Sequence, residues 1–102
     1  MRHLQCYQLA VRFYHHAKAA RLPHYCKDQL RRAALSVVLN LSEGTGKSSR
    51  KDRNRFFEIA MGSIRECQAV LELESEAFSA AQKDLLDHLA AATYKLIKNS
   101  KL

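Results

Sequence analysis

Apolar residues recur at spacings of three and four along most of the chain, the period of an amphipathic helix, and no stretch shows the alternation of a strand. In the first segment Leu4, Tyr7, Val11, Tyr14 and Lys18 repeat at this spacing, with Ala10, Phe13 and Ala17 widening the apolar face. This predicts a helix from about His3 to Ala20. Arg21-Leu22-Pro23 ends it, because proline disfavours helical geometry in the residue before it. Pro23 itself suits the first turn of the following helix, where its missing N–H costs nothing. That helix is read from His24 to Ser42 on Leu30, Ala33, Ala34, Val37, Val38 and Leu41. Gly44 and Gly46 are expected to stop it by supplying the positive φ angles favoured at a helix C-terminus.

The third helix is read from Arg50 to Phe78, with Phe56, Ile59, Ala60, Ser63, Ile64 and Cys67 on its apolar face. Ser49 and Asp52 fit a capping box at its start, Ser49 as N-cap and Asp52 reaching back. After a short break near Ser79, Leu85, Leu86, Leu89, Ala92 and Leu96 mark a fourth helix, and Lys95, Lys98 and Lys101 suit the negative end of its dipole. Helices joined by short loops predict one all-α domain over residues 1–102, an antiparallel up-down-up-down four-helix bundle. At 102 residues the chain can bury a single modest core.

Charge alters this picture. The net charge is +7 and the sequence pI near 9.6, which favours anionic partners such as nucleic acid. Residues 47–55 hold Lys47, Arg50, Lys51, Arg53 and Arg55 against the single acid Asp52. Residues 56–80 reverse the balance, with Arg65 against Glu58, Glu66, Glu72, Glu74 and Glu76. The third helix is thus basic at its start and acidic at its end, and copies of such a particle can pair surfaces of opposite sign.

The basic cluster sits at a helix N-terminus, whose free N–H groups already favour anions. Lys47, Arg50 and Lys51 are placed to hold a backbone phosphate, with Arg53 and Arg55 on the next turn. Arg12, Lys18, Arg31 and Arg32 provide secondary basic surfaces. Few aromatic residues stand among the cluster's charges, since Phe56 and Phe57 read as core, so base stacking and sequence-specific readout are not expected. Gly44-Thr45-Gly46-Lys47-Ser48 superficially suggests a phosphate loop. The first glycine of that motif would fall at Leu41, inside a helix, and no strand precedes it, so the glycines read as a helix stop.

Ser36, Asn40 and Glu43 form a polar stripe that should meet Ser63 and Glu66 across the antiparallel turn. Ser36 is expected near Gly62-Ser63, with Gly62 allowing close helix approach, and Arg31 or Arg32 near Glu66. This stripe reads as hydrogen bonding that sets helix register, because no histidine stands near it to serve as a base. The histidines show no paired metal spacing, and Cys6, Cys26 and Cys67 no ligand or disulfide framework. Each cysteine falls in an apolar helical pattern and is expected to be a small buried thiol. No catalytic group, metal or cofactor is expected. With no signal peptide and no apolar run long enough to cross a bilayer, the chain is expected to be cytoplasmic, with no membrane partner.

The residues Gln29 to Ser36, then Asn40-Leu41-Ser42-Glu43-Gly44, then Phe56/Phe57, Ala60, Gly62-Ser63 and Glu66, resemble the four helix bundle protein family. That family includes proteins encoded in intervening sequences of bacterial large-subunit ribosomal RNA genes, and relatives of Avd, the accessory variability determinant of diversity-generating retroelements. The likeness extends over the whole chain in helix number and length, and over its central part in motif. The chain departs from the usual pattern in a short first loop and in Ser42-Glu43-Gly44 where Ala-Glu-Gly is usual. The resemblance implies a barrel-like homopentamer with a basic surface. For the Avd branch it further implies binding of nucleic acid and of a reverse transcriptase. Taken together, the reading is a non-catalytic oligomer that binds RNA or DNA through phosphate contacts, with an accessory role to a reverse transcriptase as its specific form. The alternative is an intervening-sequence protein acting as a structural homo-oligomer or protein-interaction module without a nucleic-acid ligand.

Overall fold

A computed structural model describes residues 2–100. The described residues form helix α1 (Arg2–Ala19), α2 (His24–Thr45), α3 (Arg50–Leu73) and α4 (Ala80–Ser100), with a single 3₁₀ turn at Ser75–Ala77 and no strand. Helices consecutive in sequence pack on one another and α1 packs on α4, while the backbones of the diagonal pairs do not come close. The result is a square antiparallel bundle about 40 Å long, 22 Å wide and 18 Å deep.

The core is built from one stripe of each helix. Cys6, Ala10, Phe13 and Ala17 face Leu30, Ala33, Ala34, Val37 and Leu41, and these meet Phe57, Ala60, Ile64, Cys67 and Leu71, with Leu85, Leu86, Leu89 and Leu96 closing the square. In α1 the buried stripe is that of the small residues. The larger Tyr7, Val11 and Tyr14 flank it, and Leu4 is half exposed. Two stripes with the same period lie side by side on α1, and the one with Phe13 and three small residues is buried, leaving the half-buried tyrosines at its edge. A similar shift occurs in α3, where Phe57 is buried, Phe56 is half-buried and Ile59 is 46% exposed.

The helix ends also depart from expectation. Pro23 stands just outside α2 with φ −52° and ψ 145°, and its carbonyl accepts the Lys27 N–H at 2.9 Å. No described glycine has positive φ. Gly44 lies inside α2 because of packing: a Cβ there would come within 2.6 Å of the Phe57 ring. Gly46 ends the helix in right-handed geometry, its N–H donating to the Glu43 carbonyl. Helix α3 stops at Leu73, five residues before Phe78, which is extended and buried. The acidic run Glu72, Glu74 and Glu76 falls at this break. Ser79 then caps α4 reciprocally with Gln82: the Ser79 N–H donates to Gln82 Oε1 at 2.8 Å and the Gln82 N–H to Ser79 Oγ at 3.1 Å. Lys101 and the side chain of Arg2 lie outside the described part.

The candidate nucleic-acid interface

Antiparallel topology brings the start of α1, the end of α2, the start of α3 and the end of α4 to one end of the bundle. The five cluster residues all lie there. The turn that carries them is held by its own polar groups. Ser49 Oγ accepts the Asp52 N–H at 3.1 Å, capping α3. Among the described residues the Asp52 carboxylate makes no return bond, so the expected capping box is half formed. Arg53 folds back instead, its Nη1 donating to the carbonyls of Ser48 at 2.8 Å and Lys47 at 3.3 Å.

The cluster therefore divides by role. Arg53 clamps the turn. Lys47 sits 3.3 Å from Glu43 Oε2 and 5.3 Å from the centre of the Phe56 ring. Arg55 stacks on the same ring at 5.1 Å, so Phe56 stands between two cations and outside the expected core. Arg50 and Lys51 are exposed and have no ion-pair partner among the described residues. Three side chains, Arg50, Lys51 and Arg55, thus present positive charge to solvent next to the α3 N-terminus. The Arg55–Phe56 stack was legible only as two apolar-looking aromatics after a basic run; an arginine beside an aromatic at a helix start was the available signal.

The secondary cations do not join this surface. Arg31 and Arg32 are exposed in the first half of α2, roughly 20 Å down its axis from Lys47 at 1.5 Å per residue. Lys18 is at the far end of α1, where it lies 5.4 Å from the Tyr14 ring, and Arg12 is exposed between the two ends.

The polar stripe is present in part. Ser63 Oγ donates to Ser36 Oγ at 2.8 Å, and Asn40 Nδ2 donates to the Ser36 carbonyl at 2.8 Å and to Ser36 Oγ at 3.1 Å. This network ties α2 to α3 at mid-bundle. Glu43 is drawn away by Lys47, and Glu66 accepts from Gln29 Nε2 at 2.7 Å rather than pairing with Arg31 or Arg32. Gly62 is exposed, and a Cβ there would meet nothing within 4 Å, so it does not serve close approach.

Elsewhere the titratable groups are structural. Burial pushes the Cys6 thiol up, against the smaller opposing effect of its contact with Thr93 Oγ1 at 3.2 Å. Burial, with the neighbouring Glu66 charge, pushes Cys67 up to about 12. A thiol so shifted is protonated and unreactive at neutral pH. Cys26 is half-buried rather than buried. Among the described residues no His, Cys, Asp or Glu gather as a metal site, and no helix is long and apolar enough to cross a membrane.

A square helical bundle, a cationic end and a mid-bundle hydroxyl–amide network define a small helical protein organised around a charged surface. Residues 2–99 match the model of the 23S rRNA-intervening sequence protein family, and the chain belongs to that family. No curated protein and no solved structure matches it.

Proposed function

We propose that this chain is a non-catalytic, cytoplasmic RNA- or DNA-binding bundle that works as a homo-oligomer. The observation that carries the reading is the end surface of Arg50, Lys51 and Arg55, exposed cations at a helix start whose turn is already fixed by Ser49 and Arg53. The capped turn fixes where these cations stand, and phosphate contacts of this kind carry affinity without reading sequence. Replacing Arg50, Lys51 and Arg55 together with glutamine should weaken binding of a structured RNA at low salt, so that its mobility shift requires more protein than with the native chain. An unchanged shift would sink the reading.

Self-association is supported by a second surface. Tyr25, Leu35 and Leu39 of α2 and Ile59 and Leu73 of α3 are 41–76% exposed on the outer face of one hairpin. Ile59, Gly62, Glu66, Ala69 and Leu73 alternate spacings of three and four, the seam of a helix that packs on another. A barrel-like homopentamer is the specific form implied by the family resemblance. Sedimentation of Leu39→Glu should show a smaller species than the native chain; an unchanged species would exclude this face. The accessory role to a reverse transcriptase is the finest form of the proposal. Its test is co-purification with a reverse transcriptase encoded beside this gene, and a ribosomal RNA operon in that place would favour the structural alternative.

A further inference from the structure

The cationic end is not flat. A cavity of about 400 Å³ opens there, within the size range of small-ligand pockets. His3, Thr45, Lys47, Arg53 and Asn99 form its walls, contributed by α1, α2, the turn, α3 and α4 in turn, and the core side chains Phe57 and Leu96 form its floor. Its polar walls are held in place from outside. Arg53 is fixed by the Lys47 and Ser48 carbonyls through one terminal nitrogen, which leaves its other N–H groups unspent. Thr45 donates its hydroxyl hydrogen to the Ser42 carbonyl at 2.8 Å, and Lys47 is steadied by Glu43.

We infer that this cavity takes the terminal nucleotide of a single strand, with a 5′-phosphate monoester against Arg53 and Lys47. The inference rests on the nucleic-acid reading and narrows it. A phosphate inside a duplex lies on a convex backbone and reaches only the outer cations Arg50, Lys51 and Arg55. A chain end can enter a concavity. A monoester also carries about −1.5 to −2 charges near neutral pH, more than an internal diester, and so gains more from cations gathered in one pocket. Glu43 is the carboxylate it must displace from Lys47. The apolar floor suits the sugar and base edge that follow the phosphate.

The test is fluorescence anisotropy with a 3′-labelled single-stranded RNA dodecamer carrying either a 5′-phosphate or a 5′-hydroxyl, at low salt. The native protein should bind the phosphorylated strand about tenfold more tightly, as expected for one or two added charge-assisted hydrogen bonds. Asn99→Glu, an exposed position that sets a carboxylate at the cavity wall, should erase that preference, and a preference kept in this variant overturns the inference. Uridine 5′-monophosphate, but not inorganic phosphate at the same concentration, should compete for the preference if the floor contributes; equal competition by both reduces the site to a phosphate subsite and overturns the terminal-nucleotide assignment. Equal affinity for the two strands overturns the inference while leaving the outer cationic surface intact. No binding of either strand by folded protein overturns the nucleic-acid reading itself.

Discussion

The two turns that flank α3 do the same mechanical work with different chemistry. At the far end, Leu73 to Ser79 is closed by an uncharged cap and one cation: Ser79 and Gln82 satisfy one another's backbone N–H groups, and Lys83 Nζ donates to Ser75 Oγ at 2.7 Å. At the near end, Gly46 to Ser49 is closed by one serine and by an arginine that spends its donors on loop carbonyls. Closing a turn requires only a few hydrogen bonds, which the far turn obtains from uncharged caps and a single lysine. The near turn and the first six residues of α3 hold five cations where one suffices. That surplus repels itself and contributes nothing to the core, which is why its position, rather than the fold, points to an anionic ligand.

Several substitutions sharpen the contrast. The largest effect belongs to the near turn's anchor: Phe57→Ala should lower unfolding free energy by about 3–5 kcal/mol in chemical denaturation. Gly44→Ala should cost about 1–3 kcal/mol, because the new methyl meets the buried Phe57 ring and outweighs alanine's better helix propensity. Removing the far cap with Ser79→Ala should cost about 1 kcal/mol, since the Gln82 N–H loses the Ser79 Oγ while the backbone N–H of residue 79 keeps Gln82 Oε1. Arg50→Gln and Lys51→Gln should each stay within about 0.5 kcal/mol on stability. A large loss there would mean that the near turn needs its exposed cations for folding, and the contrast would fail.

The helix between the two turns supplies a pH dependence. Cys67 is held at about 12, above the ordinary thiol value of 9.0, so the unfolded chain releases the proton first as pH rises. Its contribution is complete below about pH 9 and is lost as pH climbs toward 12, at up to about 1.4 kcal/mol per pH unit. Cys6 acts in the same direction. Cys67→Ala should flatten the fall between pH 9 and pH 10.5 measured by urea titration.

Helix number, order and most core stripes were legible because a period of three and four repeats through every segment. What escaped were choices between neighbouring stripes and between roles for one residue. Phe56 and Phe57 are adjacent and equally apolar, and only packing against Gly44 decides that Phe57 goes inward. Gly44 and Gly46 share a signal with ordinary helix stops, yet one is a packing position and neither has positive φ. Five cations in a run do not announce that Arg53 will turn one nitrogen onto the loop carbonyls or that Lys47 will pair with Glu43. The cavity behind them draws one wall residue from each helix, so no local window of sequence contains it.

The most direct measurement is the salt dependence of RNA binding for the native chain and for the variant with Arg50, Lys51 and Arg55 changed to glutamine. For three phosphate contacts on a single strand, the slope of log affinity against log salt should be shallower in the variant by about 2. Its affinity at low salt should fall, with sedimentation unchanged. Identical slopes for the two proteins would contradict the account, because the phosphates would then be held somewhere other than this end of the bundle.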